Sequence, residues 1–317
     1  MKAKIVLEQA SANREKWLDL KKCTIGSSEI TTVCNINPWE SRLHLWAVKT
    51  GRIEPDKEND AMRYGSFMEP FIGELFARKE SKKVIKPDIL YAHPEIDWAT
   101  ATPDFFSVPQ EVEVISPDDT EIEIVECKTV RPSGRQFWQD GNIPNYAHSQ
   151  TIWQLGVLGM ESAQVAALIG GNTDDFVTVP VTFSKELFDQ MLDIAAQFMN
   201  MVRSDTPPDA NADDIKTLEK LYEIKNEVIL LNDETTVKIF EEFKTHNDNR
   251  KMYDGLAQSS KKLEDYYRAQ LLKAMQGHTS AEVAGYLITN KLVKKKAFEV
   301  KASEYFNFKV KKIGEEE

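Results

Sequence analysis

Residues 121–130 read EIEIVECKTV and residues 99–108 read ATATPDFFSV. In the first stretch Ile122, Ile124, Glu126 and Lys128 share one parity, and parity decides which face of a strand a side chain occupies. A face that opens Ile-Ile and serves only as core stays apolar, because an unpaired buried charge is costly. Glu126 and Lys128 therefore either surface at a strand end or do chemistry. Asp104 follows Thr102-Pro103 in the second stretch. If the two strands are neighbours in one sheet, Asp104 and Glu126 meet across it. Two hard oxygen donors suit Mg²⁺, which keeps several waters and needs few protein ligands. A lysine two residues beyond Glu126, on the same face, can orient or deprotonate a metal-bound water or steady charge on a phosphate. In outline this is a hydrolytic phosphodiester site. An exposed ion pair of little energetic weight is the competing reading of the same residues.

Composition narrows the class of protein. The chain has 317 residues, 41% hydrophobic and 29% charged, which suits a soluble globular core with an appendage. No apolar signal core opens the sequence and no stretch is long enough to span a bilayer, so a cytoplasmic location, away from membranes, is expected. Cys23, Cys34 and Cys127 form no CxxC pair and are too few for a four-cysteine iron–sulfur site. A net charge of −11 argues against gripping nucleic acid by bulk positive field. Any such contact needs local patches or bound metal. Residues 291–312 hold eight lysines against two glutamates, with aromatics interleaved; they are a nucleic-acid patch or the solvated face of a terminal hairpin.

The pattern predicts helices over 11–22 (Ser11 as N-cap), from Gly26-Ser27-Ser28, over 41–51 and over 60–80, the last kinked or restarted at Pro70. Strands follow near 84–92 and 98–107. Residues 111–128 read as a hairpin turning at 116–120. A helix over 144–159 ends at Gly159, strands lie at 163–171 and 176–183, and a helix at 185–202 closes a mixed α/β layer arrangement. The Pro-rich stretch 203–214 marks a boundary, giving a core of 1–204 and an appendage of 205–317. The appendage is helical over 213–277 and carries short strands over 281–312.

Three further segments bear on the site. Gly65 stands one helical turn before Glu69 on the same side, and glycine inside a helix signals close approach by another group. Glu69 is a third metal carboxylate or a solvated helix residue. Tyr146, Gln150 and Gln154 form a four-residue ladder that either serves a phosphate and the attacking water or is an ordinary polar stripe. Lys21 with Gly26-Ser27-Ser28 sets a cation and hydroxyls beside a helix N-terminus, an anion-binding arrangement or a simple cap.

Six ordered segments, WLDLKKCTIGSSEI (17–30), NPWESRLHLWAVKTG (37–51), AMRYGSFMEPFI (61–72), HPEIDWATATPDF (93–105), IVECKT (124–129) and NYAHSQTIWQLGVLG (145–159), resemble the YqaJ-type viral recombinase family. That family is the phage lambda exonuclease-like branch of the PD-(D/E)XK nucleases. The resemblance runs from about Trp17 to Gly171. It implies a restriction-endonuclease-like core, a central mixed sheet flanked by helices. It implies Asp104 and Glu126 as metal carboxylates with the Cys127 carbonyl as an extra ligand, Lys128 as the catalytic lysine, Glu69 as the helix-borne acid and Gln150 as the helix glutamine. Ser28, beside Ser27, falls in the 5′-phosphate pocket, where Lys21 stands in place of an arginine; lysine holds phosphate as a point charge without the bidentate fork. Gln154 extends the phosphate-side set. Phe105 stands where the family often has glycine.

The activity so implied is a Mg²⁺-dependent (Mn²⁺ substituting) 5′-to-3′ exonuclease on double-stranded DNA ends. It would leave 3′ single strands for a single-strand annealing protein in a phage-infected or lysogenic bacterial host. The resemblance also suggests ring-shaped homo-oligomers, trimeric in the family. A single-strand, flap or endonucleolytic enzyme of the same superfamily, and a non-catalytic DNA-binding protein on the same fold, are the alternatives. The C-terminal third serves self-association, DNA or partner binding, or packing against the core.

Overall fold

The computed structural model describes residues 3–111, 122–222, 228, 230–275, 279–283 and 286–289. It divides into two compact units, Met1–Glu223 and Ile224–Glu317. The first unit contains, in order, β1 (Lys4–Glu8), α1 (Arg14–Cys23), α2 (Glu29–Val33), α3 (Arg42–Lys49), α4 (Asp60–Glu80), β2 (Lys83–Ile85), β3 (Ile89–Ala92), β4 (Thr100–Ala101), β5 (Phe105–Val108) and β6 (Glu123–Val130). It continues with α5 (Asn145–Leu158), β7 (Ser162–Ile169), β8 (Phe176–Thr182), α6 (Lys185–Arg203) and α7 (Ile215–Leu221). The second unit holds α8 (Glu234–Met275) and the hairpin of β9 (Ser280–Val283) and β10 (Tyr286–Thr289).

The central sheet has the order β2-β5-β6-β7-β8. Only the β6/β7 pair is parallel. A second sheet, β1-β3-β4, is antiparallel. One face of the central sheet, through Phe106, Ile124, Val165 and Ala167, belongs to the main core with α5 and α6. The other, through Phe105, Val125, Ala166 and Leu168, packs with Ile72 and Phe76 of α4. Helix α5 is apolar nearly all round because it lies between layers, and it ends on Gly159 in the left-handed region at φ 66°.

Prolines explain where the strand expectations fail. The run near 84–92 is two strands in different sheets, parted at Lys86-Pro87-Asp88, and the run near 98–107 is likewise parted at Thr102-Pro103. Proline has no N–H for a ladder and turns the chain from one sheet to the other. Asp104 therefore stands at a corner, just before β5. Pro70, by contrast, does not restart α4, which runs unbroken over 21 residues. Ser66 and Pro70 are both exposed, so water can serve the carbonyl that the proline leaves unbonded. Strand β1 has no counterpart among the sequence expectations. Ser11 does not cap α1, whose N-cap is Asn13; Ser11 gives its N–H and hydroxyl to the Asp88 carboxylate at 2.9 and 2.6 Å. The expected turn at 116–120 and the lysine-rich segment 291–312 lie outside the described residues.

The first unit reaches Glu223, beyond the expected boundary at 204. Residues 205–222 return to it. Asp205 pairs with Arg52, buried Asp214 accepts from Ser41 Oγ, and Lys220 Nζ lies 3.2 Å from Asp56. Leu218 and Leu221 join the main core. The proline-rich stretch is thus a surface loop inside the unit.

Two glycines test this packing. A Cβ at Gly156 would lie 2.3 Å from the Phe188 ring, where α5 meets α6. One at Gly65 would meet only Thr129 Oγ1 at 3.8 Å, an ordinary contact. Gly156→Ala should destabilise the protein by about 1–3 kcal/mol through overpacking. Gly65→Ala should stabilise it by about 0.5–1 kcal/mol through helix propensity. Thermal unfolding of the two variants should move in opposite directions.

Candidate active site

Strand β5 pairs with β6 only from Phe105↔Val125 to Ser107↔Glu123, so the edge of β6 beyond Val125 loses its β5 partner. The Asp104 side chain takes over there, its Oδ2 accepting the Cys127 N–H at 2.8 Å. In an extended strand a residue's N–H and C=O point to the same side, so the Cys127 carbonyl is aimed toward Asp104 as well. Across β6, Glu126 and Lys128 continue the face of Ile124 toward α5. Glu126 is 2% exposed, so the charged pair is not a surface feature.

Three donors offset that burial. Glu126 Oε1 accepts from Lys128 Nζ and from Gln150 Nε2, both at 2.6 Å, and Oε2 accepts from Gln154 Nε2 at 2.7 Å. Lys128 Nζ also donates to Gln150 Oε1 at 2.8 Å, closing a ring of three side chains. The i, i+4 spacing on α5 sets both glutamines against one carboxylate. Gln154 is fully buried, and flipping its amide would turn an oxygen onto the Glu126 carboxylate, so its orientation is fixed. This corrects the expectation that Gln154 serves a phosphate: it holds Glu126 from beneath.

The electrostatics follow. Burial raises the Asp104 carboxyl well above the ordinary range; the Glu126 and Glu69 carboxylates raise it further, against Lys128 and the Cys127 N–H. Burial opposes the Lys128 ammonium, but Glu126 and Asp104 outweigh it and hold its pKa above the usual lysine value. Lys128 stands here as a hydrogen-bond donor to Glu126 and Gln150. Burial likewise pushes the Cys127 thiol up, with Asp104 adding to it.

Glu69 comes from α4, on the other side of the sheet. It is bonded at 2.8 Å to Lys86, a partner the sequence gave no reason to suspect. Lys86 stands just past β2, whose antiparallel register with β5 (Ile85↔Phe106) carries it toward Asp104. Gly65 faces Thr129 without crowding, so nothing among the described residues requires its small size.

Among the described residues, no group of three Asp, Glu, His or Cys side chains is close enough to cage an ion unaided. The donors nonetheless suit a hard divalent cation. Asp104 and Glu126 offer oxygen donors beside a main-chain carbonyl, and the Glu126 carboxylate adds to the burial that raises Asp104. A cation with one or two protein carboxylates and several waters matches that set.

The expected anion pocket is partly occupied from within. Glu29 Oε2 accepts the Gly26 N–H at 2.9 Å and lies 3.1 Å from Lys49 Nζ, while Lys21 Nζ is 3.6 Å from Oε1 and 4.5 Å from the Trp17 ring centre. Burial works against the Glu29 carboxylate, but Lys21, Lys49 and the Gly26 N–H together hold its pKa below the ordinary value. Ser27 is buried; Ser28 is exposed and its side chain makes no capping bond. Of the set, Lys21 and Ser28 alone keep access to a ligand. Lys49 had a legible signal, since it falls on the apolar side of α3 with Leu45 and Trp46.

The fold, a mixed five-stranded sheet flanked by helices, is PD-(D/E)XK-like. An alkaline exonuclease from Laribacter hongkongensis superposes with TM-score 0.50 at 16% identity, covering 66% of this chain and 100% of that one. Its complex with dAMP aligns equally, with TM-score 0.50 over 65% and 98%. Residues 16–161 match the YqaJ-like viral recombinase domain. YqaJ of Bacillus subtilis (strain 168) is 29% identical over 202 residues, which cover 63% of this chain and 59% of YqaJ. No helix among the described residues is long and apolar enough to cross a membrane.

Removing Lys128 leaves the buried Glu126 charge short of its cation. Lys128→Met should cost about 3 kcal/mol or more in metal-free buffer. Glu126→Gln combined with Lys128→Met should recover most of that loss. A denaturant titration of wild type, both single variants and the double measures the coupling.

Proposed function

We propose that this protein is a divalent-metal-dependent deoxyribonuclease that degrades double-stranded DNA from 5′ ends and leaves 3′ single strands. The observation that carries the reading is the Asp104–Glu126–Lys128 cluster: a buried carboxylate held by a cation and two amides, beside a second acid at an open strand edge. The shared domain family and an alkaline exonuclease of like fold, seen with the nucleotide dAMP, support it.

Mg²⁺, with Mn²⁺ as substitute, would be held by Asp104, Glu126 and the Cys127 carbonyl, with Glu69 joining once released from Lys86. When bound, the ion supplies an activated water and neutralises phosphate charge. Lys128, a cation fixed by Glu126 and Gln150, stabilises negative charge developing on the scissile phosphate. Gln150 bonds both Glu126 and Lys128 and so fixes their spacing. Gln154 locks the Glu126 rotamer from the core side. Burial of this set excludes bulk water from the carboxylate and lengthens the reach of each charge.

A second reading keeps the chemistry and relaxes the end requirement. It is favoured by Glu29, which already takes the Gly26 N–H and lies beside Lys21. The strand specificity would then extend to single-stranded, flap or internal sites. The single-strand annealing partner and the ring-shaped trimer enter this proposal from the family resemblance alone.

End-labelled linear duplex in Mg²⁺ should be shortened from its 5′ ends, while covalently closed circles should survive. Glu126→Gln or Lys128→Ala should lower the rate by about 10²–10⁴-fold. Equal digestion of 5′-phosphate and 5′-hydroxyl ends would select the relaxed reading. Intact linear DNA in both Mg²⁺ and Mn²⁺ would reject both.

A further inference from the structure

The largest aromatic residue left in the open on the first unit stands beside the site. Trp39 is 75% exposed, on the loop between α2 and α3. An indole so placed forgoes burial worth having, yet the loop holds it firmly. The Trp39 backbone N–H donates to Asn37 Oδ1 at 2.9 Å, and Asn37 Nδ2 donates to the fully buried Thr32 hydroxyl at 2.8 Å. On the other side Glu40 accepts from Thr32 Oγ1 at 3.0 Å and contacts His44 Nδ1 at 3.0 Å. Residues on both flanks are thus tied to the same buried hydroxyl.

The ring is aimed at the catalytic layer. It meets the Tyr146 ring edge-on, with centroids 5.0 Å apart and planes at 75°. Tyr146 is half-buried against the main core and stands one helical turn before Gln150 on the same side of α5. Gln150 touches both Glu126 and Lys128. Burial raises the Tyr146 phenol pKa and the Lys128 charge opposes that rise, which agrees with the short path. An exposed, pre-organised indole next to a phosphodiester site has the chemistry of a base platform: every nucleobase has a face that stacks on an aromatic ring, whatever its sequence.

We propose that Trp39, backed by Tyr146, is a stacking platform for an unpaired nucleobase of the strand entering the site. The proposal rests on the nuclease reading for the identity of that strand, but its binding is separable from cleavage. Trp39 then sets which nucleotide is held beside Glu126 and Lys128, and it favours ends already frayed or single-stranded over flush duplex.

The test uses the full chain and a fluorescein-labelled duplex carrying three unpaired 5′ nucleotides, with binding read by anisotropy in EDTA and again in Ca²⁺. Matched duplexes carry an abasic residue at each unpaired position in turn. Trp39→Ala should weaken binding about 5- to 100-fold, and Trp39→Phe should retain it within about 3-fold. At one position the abasic residue should weaken wild type but leave the Trp39→Ala variant nearly unchanged. Unfolding midpoints of both variants should match wild type, since the side chain is exposed. Equal losses on intact and abasic DNA, or wild-type affinity in Trp39→Ala, would overturn the proposal. So would a Trp39-dependent change in sedimentation with no base dependence, which would make the indole a self-association contact. Absence of cleavage by wild type in Mg²⁺ and Mn²⁺ would reject the nuclease reading and leave the binding arm to judge the platform.

Discussion

The arrangement around β6 turns on one buried carboxylate. Glu126 has almost no exposure, and its two oxygens take three hydrogen bonds, one from an ammonium and two from amides on α5. A charge so buried persists only when such partners are fixed, and the partners are fixed only if α5 packs squarely on the sheet. The close approach of Gly156 to Phe188, the enclosure of Trp153 and Leu155, and the left-handed stop at Gly159 all serve that packing. Catalytic geometry and core packing are therefore one problem on the α5 side.

On the opposite edge the constraint is an interruption. Pro87 and Pro103 each end a strand and send the chain from one sheet to the other. The second of these leaves Asp104 without a ladder position, and its side chain bonds the Cys127 N–H that β5 would otherwise have reached. An acid thereby arrives beside Glu126 without needing a strand of its own. The β2/β5 register sets Lys86 at the same corner, where it pairs with Glu69. Phe105 lies over Gly73 of α4, where a Cβ built on the glycine would come within 3.0 Å of its ring.

Much of this was legible in the sequence because it is local or periodic. The shared parity of Ile122, Ile124, Glu126 and Lys128 put the charged pair on the same face as the two isoleucines, and the four-residue spacing of Gln150 and Gln154 put both glutamines on one side. What each glutamine does was not legible: spacing gives a face, whereas depth below the surface comes only from packing, and Gln154 is too deep to meet DNA. The two-sheet split was readable in Pro87 and Pro103, but a run of apolar residues outweighed them. The ion pair of Glu69 with Lys86 and the occupation of the Gly26 N–H by Glu29 depend on tertiary placement. Neither Lys86 nor Glu29 has a spacing that marks it. The reach of the first unit to Glu223 likewise depends on Asp205, Asp214 and Lys220 finding partners far back in the chain.

The central claim is that Asp104 and Glu126 share a divalent ion at the open edge of β6. Diffraction at the manganese absorption edge, from crystals soaked in Mn²⁺, tests it most directly. The account predicts an anomalous peak within coordination distance, about 2.0–2.6 Å, of oxygens from both carboxylates, with the Cys127 carbonyl turned toward it. Manganese bound elsewhere, with Glu126 still engaged by Lys128, Gln150 and Gln154 and no peak beside Asp104, would contradict it.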